Sequence, residues 1–447
     1  MYVKNINALL LSYQNSEVAQ EISAQMLFGA HGVKGQLPVS IGTNFSAGFG
    51  LFSSSLKRLG YALPEEVGLD SRKLKRIDSL AELVVKKNMA PGLQVLVARR
   101  GQVVYHKGFG YHTDQKKLRV STDDLYDLAS MTKILATLPL LMELEEKGVF
   151  ELDSSLGDII YSLKDTNKDT LTVKEVLSHN GQLLPWIPFY KKTLDSLSQK
   201  PLEKYYREKE NATFNIKVAD HLYLRKDYSD SLFSLVAQSE LRPKVGYKYS
   251  DLSFYIFKNF IENHYNKDLH KLTQERFYKT LGANNTGYLP LHKFPKSKIV
   301  PTEKDDYYRN QLVQGYVHDM GAAMQGGIGG HSGLFSNAND VAKIMQMYLQ
   351  KGFYGGKRYF KPETLDKFNQ RYYANEEVRK GIGFDKPQIK EEEKATCGCV
   401  SDSSFGHSGF TGTYTWADPE SEIIYVFLSN IVYPTMENTG LVRYNIG

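Results

Sequence analysis

Two β-rich segments that are far apart in the chain constrain the fold more than any other feature. Residues 92–111 (GLQVLVARRGQVVYHKGFGY) contain two apolar runs around a turn at Arg100 and Gly101, and residues 412–430 (GTYTWADPESEIIYVFLSN) show the same pattern. Such runs separated by turn residues predict β-hairpins. We therefore expect an α/β (α+β) fold in which one antiparallel sheet is built from both ends and flanked by helices. A mainly helical inset, about residues 140–375, would separate the two ends.

The N-terminal segment differs in composition from the rest of the chain. Residues 7–13 (NALLLSY) have the pattern of a strand, and residues 16–30 (SEVAQEISAQMLFGA) have the pattern of a helix. Together they resemble a fragment of an α/β unit that lacks partner strands of its own. We therefore divide the chain into residues 1–65 and a main domain, residues 66–447.

Charge and apolar content argue against several classes of function. The 447 residues include 56 Lys and Arg and 50 Asp and Glu, a formal charge of +6 with no basic block, so we expect no nucleic-acid binding. The chain has no apolar run long enough to span a membrane, and its first residues lack the apolar core of a signal peptide. We therefore expect a soluble chain with neither a membrane span nor a signal peptide.

The potential metal ligands do not form a recognisable site. Cys397 and Cys399 are separated by one residue, so we expect no ordinary disulfide, and two thiols are too few for a metal cage. A free pair in a loop is the expectation. His318, Asp319 and His331 fit no compact zinc pattern, so we predict hydrogen bonds within loops instead. No metal and no cofactor are predicted.

The stretch LASMTKI, residues 128–134, places Ser130 three residues before Lys133 at the start of a strongly apolar helix. Both side chains then lie on one helix face, and the N–H groups at the helix start favour negative charge on the serine oxygen. Burial would lower the pKa of Lys133, so that its neutral amine can accept the hydroxyl proton. This predicts an activated serine nucleophile. Ser54 and Lys57 have the same spacing, but they lie in a linker.

Residues 128–160 (LASMTKILATLPLLMELEEKGVFELDSSLGDII) resemble the nucleophile helix of the serine β-lactamase and penicillin-binding-protein superfamily. Within that superfamily they are similar to the branch that holds class C β-lactamases, D-amino-acid peptidases and esterases. The resemblance covers roughly residues 66–440. It implies a serine hydrolase that forms an acyl-enzyme and needs no cofactor. It also implies two further motifs, Tyr-x-Asn and Lys/His-Thr/Ser-Gly.

The second motif has one candidate in a suitable context. Tyr249 opens a Tyr-Ser-Asp sequence that precedes the apolar segment LSFYIFKNFIENHY, whereas Tyr13 and Tyr228 open similar triplets in less suitable places. The resemblance implies that Tyr249, as a phenolate or a hydrogen-bonded phenol, relays protons to the leaving group. Asp251 replaces the commoner asparagine, and its carboxylate would pair with the lysine of the first motif and keep it charged.

The third motif has two candidates, the His-Ser-Gly sequences that start at His407 and at His331. The later one precedes the C-terminal hairpin, as the third motif of the family does, and the earlier one is expected to be structural. The resemblance places Gly409 and Phe410 at the substrate, and the N–H of Phe410 would complete an oxyanion hole with that of Ser130. His407 would contact the substrate or the tyrosine. Because histidine is mostly neutral near pH 7, it should hold a substrate carboxylate less firmly than lysine.

Residues 8–42 resemble the end of the C-terminal α/β domain of family-three glycoside hydrolases of the β-N-acetylglucosaminidase type, mainly through residues 35–40 (GQLPVS). The barrel that carries the catalytic residues of that family is absent, so we expect no glycosidase activity. Residues 1–65 would be a remnant of such a domain plus a linker, fused to a serine hydrolase. By association, the fusion suggests cell-wall substrates and leaves open a periplasmic or exported parent protein.

Two functions remain open at this stage. The first is a serine hydrolase that acts through an acyl-enzyme on a small-molecule or peptide substrate: a β-lactam, a D-amino-acid peptide, an ester or a lactone. The alternative is a catalytically silent domain, similar to penicillin-binding proteins, that binds cell-wall fragments. Asp251 and His407 favour the alternative, since both depart from the commoner family pattern. The sequence decides neither the substrate nor the oligomeric state.

Overall fold

The framework of the described chain is a six-stranded sheet whose strands come from both of its ends. The computed structural model describes residues 6–390 and 396–443. Its strands, in chain order, are β1 (Gly60–Tyr61), β2 (Gly92–Arg99), β3 (Gln102–Gly110), β4 (Tyr126–Asp127), β5 (Tyr206–Arg207), β6 (Phe214–Ala219), β7 (Leu222–Arg225), β8 (Glu303–Asp305), β9 (Gln311–Val313), β10 (Phe335–Ser336), β11 (Phe353–Tyr354), β12 (Lys357–Arg358), β13 (Phe405–Gly409), β14 (Thr413–Asp418) and β15 (Ile423–Ser429). The main sheet has the order β1-β3-β2-β15-β14-β13.

Both predicted hairpins are present, and they join in this one sheet. β2 and β3 are antiparallel around Arg100 and Gly101, whose φ angles of 51° and 74° suit a tight two-residue turn. β14 and β15 form the second hairpin, and β15 pairs with β2 so that Val426 lies opposite Leu96. Apart from the parallel edge strand β1, every pairing in the sheet is antiparallel. The predicted fold class is therefore confirmed.

Helices cover the sheet, and most of them lie between β3 and β13. In chain order they are α1 (Glu17–Leu27), α2 (Ser71–Leu74), α3 (Arg76–Lys86), α4 (Leu138–Glu146), α5 (Leu156–Ile159), α6 (Val173–Leu177), α7 (Lys226–Ala237), α8 (Leu252–Tyr265), α9 (Leu269–Thr273), α10 (Lys279–Leu281), α11 (Met320–Met324), α12 (Ala338–Leu349), α13 (Pro362–Asn369) and α14 (Gly440–Arg443). The same region also holds a small sheet, β5-β7-β6, and the pair β8-β9. Within the described residues, no helix has the length and apolar character that crossing a bilayer requires.

The apolar helix predicted after the Ser-x-x-Lys sequence is irregular next to Pro139. Lys133–Thr137 form a π-helical turn, and α4 begins directly after it. Proline has no N–H to donate, so a carbonyl one turn earlier needs another partner. The buried hydroxyl of Tyr278 donates to the carbonyl oxygen of Leu135 at 2.9 Å and supplies this partner. Tertiary contacts therefore hold the turn that carries Lys133.

The N-terminal segment of the described chain contributes one helix and no long strand. α1 begins after Ser16, whose Oγ accepts a hydrogen bond from the N–H of Ala19 at 3.2 Å, so the predicted helix is confirmed. The predicted strand at residues 7–13 is wrong. Within the described chain no strand lies beside it to pair its backbone, and an isolated strand is not stable in water. Apolar side chains of this segment, including Leu27 and Phe28, stay exposed.

The expectation of a free cysteine pair is also wrong, because Cys397 and Cys399 form a disulfide. Gly398 between them has a φ of 73°, a left-handed conformation that glycine adopts easily. The resulting turn brings the two Cα atoms to 5.4 Å, which lies within the ordinary range for a disulfide. The short spacing of the two cysteines does not prevent the bond, because one glycine is enough to fold the chain back on itself.

Candidate active site

Ser130 lies in a tight turn between β4 and the π-helical turn. It is the middle residue of a 3-10 turn, Ala129–Met131, and Ala129 has a φ of 45°. A left-handed conformation costs a non-glycine residue roughly 1–3 kcal/mol. The buried carboxylate of Asp127 helps to offset this cost, since it accepts a hydrogen bond from the N–H of Ala129 at 2.9 Å. The turn leaves the Ser130 side chain partly exposed while its neighbours in the sequence are buried.

Lys133 is fully buried, and its Nζ faces three oxygen atoms. Nζ lies 3.0 Å from Oγ of Ser130, 2.7 Å from Oδ1 of Asp251 and 3.3 Å from the carbonyl oxygen of His331. Burial lowers the pKa of Lys133, and the negative charge of Asp251 opposes that shift without reversing it. The structure thus brings Ser130, Lys133 and Asp251 together as the sequence motifs predict.

Tyr249 completes this cluster just before α8 begins. The Nζ of Lys133 lies 5.0 Å from the centroid of its ring. Its hydroxyl is shielded from solvent and makes no hydrogen bond of ordinary geometry within the described chain, although Ser130 is close. Burial raises the pKa of Tyr249 well above its ordinary value, Asp251 raises it further, and the Ser130 hydroxyl opposes the rise. Of the two forms considered for Tyr249, the neutral phenol therefore fits this environment, and the phenolate does not.

Strand β13 brings the third motif against the nucleophile turn. A Cβ atom at Gly409 would lie 2.4 Å from the carbonyl oxygen of Leu128, so only glycine permits this close approach. Thr413 on β14 donates a hydrogen bond to the same oxygen at 3.0 Å. His407 is buried on β13, with Nδ1 2.7 Å from the carbonyl oxygen of Ser408. Its Nε2 has no partner within the described residues.

The predicted oxyanion donors are the N–H groups of Ser130 and Phe410. Neither of them donates to another group of the described chain. Phe410 directly follows β13, and its ring stacks on His318 with the centroids 5.6 Å apart. The hydroxyl of Thr411 donates to the carbonyl oxygen of Asp127 at 2.7 Å and ties this end of the hairpin to the nucleophile turn. Two unused N–H groups on adjoining segments are what an oxyanion hole requires, and the role itself stays a prediction.

The competing candidates lie elsewhere or act differently. Tyr13 is exposed, and Tyr228 lies on α7, where its hydroxyl donates to the carbonyl oxygen of Phe189 at 2.9 Å. Nε2 of His331 lies 2.8 Å from Asp319, and this side-chain pair has the loop hydrogen bond that we predict in place of a metal site. His318 makes the same kind of bond to a glutamate. Within the described residues, no cluster of side chains is suited to hold a metal ion.

Comparison with known proteins assigns the family. The family model described as Beta-lactamase matches residues 77–445. The chain belongs to the β-lactamase family. Because the family match begins at residue 77, the glycoside hydrolase resemblance of the N-terminal segment stays a prediction, as do the domain bounds and a periplasmic or exported parent protein.

Relatives and solved structures agree with this assignment to the β-lactamase family. A protein of Salmonella gallinarum named "Putative D-alanyl-D-alanine carboxypeptidase" is 28% identical over 406 residues, which cover 85% of this chain and 88% of that protein. The octameric penicillin-binding protein homologue from Pyrococcus abyssi is 19% identical, with a TM-score of 0.58 and coverage of 83% and 77%. A class C β-lactamase from Rhodobacter sphaeroides is 16% identical, with a TM-score of 0.55 and coverage of 83% and 100%. At these identities the two structures show the fold alone.

Two residues that the sequence motifs do not reveal also adjoin this β-lactamase-family site. The ring of His179 lies 4.6 Å from that of Tyr249, between centroids, and its Nδ1 accepts a hydrogen bond from the N–H of Ser250 at 3.2 Å. The buried Lys380 places its Nζ 5.1 Å from the same tyrosine ring and pairs with Asp385. Neither residue belongs to a recognisable motif. A lysine next to a glycine carries no sequence signal of burial, so Lys380 could not be found from the sequence.

The surroundings of His407 determine its charge. Burial lowers the pKa of His407 well below its ordinary value, and the positive charges of Lys380 and Lys133 lower it further. The imidazole is therefore neutral near pH 7, which agrees with the expectation from the sequence. With Nδ1 beside a carbonyl oxygen, Nδ1 carries the proton and the unpartnered Nε2 is left as an acceptor.

Proposed function

We propose that this protein is a serine hydrolase. An ester or amide substrate acylates Ser130, and water then hydrolyses the acyl-enzyme and frees the serine. The observation that carries the proposal is the position of a fully buried amino group, that of Lys133, 3.0 Å from the Ser130 hydroxyl. A lysine buried only for packing would bring no polar atom to a partly exposed serine. Nucleophile and base within hydrogen-bond distance are the signature of an activated nucleophile.

In the proposed reaction, Oγ of Ser130 attacks the carbonyl carbon and its proton passes to the neutral amine of Lys133. The N–H groups of Ser130 and Phe410 stabilise the oxyanion that forms. The tetrahedral intermediate then collapses, the bond to the leaving group breaks, and the leaving group takes a proton through the phenol of Tyr249. A water molecule repeats the attack on the acyl group and restores the serine. Since burial favours the neutral amine, Lys133 can accept the proton even though Asp251 opposes its loss of charge.

We further propose that the substrate is a peptide or ester built on D-amino acids and related to the cell wall. The name of the Salmonella gallinarum relative supports this class, and the relative aligns with most of the chain. The neutral His407 in the third motif argues against an efficient β-lactamase, because its free Nε2 is an acceptor and offers a substrate carboxylate neither a donated hydrogen bond nor a positive charge.

A substrate panel tests the proposal. Wild type and Ser130→Ala are compared on p-nitrophenyl acetate, on a peptide ending in D-alanyl-D-alanine and on a cephalosporin. We expect wild type to hydrolyse at least the ester or the peptide and Ser130→Ala to be inactive on each. Ser54→Ala, which alters the serine with the same spacing to a lysine, is the matched control and should behave as wild type. Hydrolysis by wild type that persists in Ser130→Ala contradicts the proposal, and binding of peptide without any turnover favours a silent binding domain.

A further inference from the structure

A small cavity lies beside Asp251, on the face of this carboxylate that Lys133 does not occupy. The space open to a water-sized group is about 20 Å³, and one such group needs roughly 10–15 Å³. Its lining includes two carboxylates, an imidazole and three aromatic rings, namely those of Asp251, Asp319, His331, Trp186, Tyr190 and Tyr255. The segment with Trp186 is fixed next to the site, because the N–H of Asp251 donates to the carbonyl oxygen of Pro185 at 2.9 Å.

The carboxylate oxygens left over in this cavity are acceptors. Oδ1 of Asp251 is used by Lys133, and Oδ1 of Asp319 accepts from Nε2 of His331 at 2.8 Å and from the N–H of Ala322 at 2.6 Å. The second oxygen of each carboxylate makes no such bond within the described chain. His331 is buried with Nε2 at the Asp319 carboxylate, and its Nδ1 has no partner among the described residues; this nitrogen accepts a hydrogen bond when the ring is neutral. A ligand that pairs with the free carboxylate oxygens must therefore bring hydrogen-bond donors.

The charge balance favours a cation. Burial alone would raise the pKa of Asp319, but His331 and the N–H of Ala322 hold it below its ordinary value, so this carboxylate is ionised near neutral pH. Lys133 is the partner of Asp251 and His331 that of Asp319, and no Lys or Arg lies within 4.0 Å of the Asp319 carboxylate in the described chain. The half-exposed Trp186 and the rings of Tyr190 and Tyr255 complete the lining.

We propose that this cavity is the subsite for a primary ammonium group carried by the acyl part of the substrate. That the ligand is a substrate rests on the proposed function, whereas the cavity and its acceptors do not depend on it. A –NH₃⁺ group is about the size of a water molecule, and its three N–H bonds match the second oxygens of Asp251 and Asp319 and, when the ring is neutral, Nδ1 of His331. Because Asp251 also contacts Lys133, the ammonium would sit one side chain away from the reacting centre.

Calorimetry on the full chain at about pH 6.5, where a peptide amine is charged, tests this without any turnover. Three probes are titrated: D-alaninamide, N-acetyl-D-alaninamide and Nα-acetyl-D-lysinamide. We expect D-alaninamide to bind at least tenfold more tightly than its acetylated form, because a charge-assisted hydrogen bond to a carboxylate contributes about a factor of ten in affinity. If the acetylated lysine amide binds as tightly as D-alaninamide, the cavity accepts a side-chain ammonium as well as an α-ammonium; if it binds as weakly as N-acetyl-D-alaninamide, the cavity accepts only the α-ammonium. Equal affinity for D-alaninamide and its acetylated form, or no binding of either amine, overturns the proposal.

Two variants locate the preference in the cavity. Asp319→Asn keeps an acceptor for His331 and for the helix N–H but removes the charge, and Met320→Lys places a tethered ammonium at the cavity wall. Both should reduce the preference for the free amine to about one, whereas Asp366→Asn, which removes an exposed carboxylate on α13, should keep it. A preference that survives both cavity variants contradicts the assignment. Ser130→Ala should keep the preference while it abolishes hydrolysis, so the subsite and the proposed reaction can fail separately.

Discussion

Nζ of Lys133 lies 2.7 Å from Oδ1 of Asp251, and this contact sets the pKa of the proposed base. Burial favours the neutral amine, while the carboxylate favours the ammonium. An asparagine in the same place would offer a hydrogen bond without a charge. Compared with an asparagine, Asp251 therefore raises the pH at which the Lys133 amine becomes neutral, while the contact between the two side chains stays the same.

Asp251→Asn should shift the acid limb of the kcat/KM profile to lower pH. Removal of a negative charge destabilises the ammonium form, so the pKa of Lys133 falls, by about 1–3 units for a partner in direct contact. The measurement is the pH dependence of p-nitrophenyl acetate hydrolysis. Asp230→Asn is the matched control, because Asp230 ends the second Tyr-Ser-Asp sequence on α7 and is exposed. An acid limb that stays in place in Asp251→Asn would show that Lys133 is not the titrating base.

Tyr249→Phe should lower kcat by about 10²–10⁴-fold and leave thermal stability unchanged. The loss in rate follows from the missing proton relay, and stability is spared because the hydroxyl makes no hydrogen bond of ordinary geometry in the described chain. Tyr228→Phe should do the reverse: it loses a hydrogen bond to the carbonyl oxygen of Phe189, worth about 1 kcal/mol, and keeps its activity. Steady-state kinetics and thermal unfolding of both variants check this pair. Equal rates for Tyr249→Phe and wild type would remove Tyr249 from the mechanism.

His407→Gln should lower the rate without moving the acid limb. The pKa of His407 is held well below its ordinary value by burial and by the charges of Lys380 and Lys133, so this ring does not titrate where the enzyme works. Glutamine preserves a polar side chain of similar length but has no titrating group. The pH profile of this variant, set against that of Asp251→Asn, separates the two groups. A limb that disappears in His407→Gln would assign the titration to the histidine instead.

Gly409→Ala should destabilise the protein by about 1–3 kcal/mol and reduce activity. The new Cβ would lie 2.4 Å from the carbonyl oxygen of Leu128 and 2.2 Å from Oγ1 of Thr413, so β13 must move away from the nucleophile turn. Gly35→Ala is the matched control, because within the described residues no atom beyond its two chain neighbours lies within 4 Å of its added Cβ. Denaturant unfolding and ester hydrolysis are measured for both. Wild-type behaviour of Gly409→Ala would mean that the strand does not need this close approach.

The sequence predicted the parts of the fold that local patterns determine. Apolar, β-rich runs around a Gly-containing turn predict the β2-β3 hairpin, and the first two motifs predict that Ser130, Lys133 and Asp251 meet in one site, as they do. The predicted strand at residues 7–13 failed because a strand needs a partner, and pairing is a property of the whole chain.

The surroundings of the site could not be predicted, because they come from segments that carry no motif. Lys380, His179 and Asp319 reach the cluster only through tertiary packing, and nothing in their local sequence signals burial. Their effect is electrostatic, so it appears only when the distances between charges are known. The motifs thus identify the reacting groups. The pKa values of those groups depend on residues that are distant in the sequence and lie nearby only in the folded chain.

The most direct test of the account is to find the atom that becomes acylated. Wild type, Ser130→Ala and Ser54→Ala are incubated with a fluorophosphonate probe and with a β-lactam, and the adducts are mapped by peptide mass spectrometry. We predict one adduct of each reagent per chain on the peptide that contains Ser130, present in wild type and Ser54→Ala and absent in Ser130→Ala. An adduct on another residue, or one that persists in Ser130→Ala, would contradict the central claim.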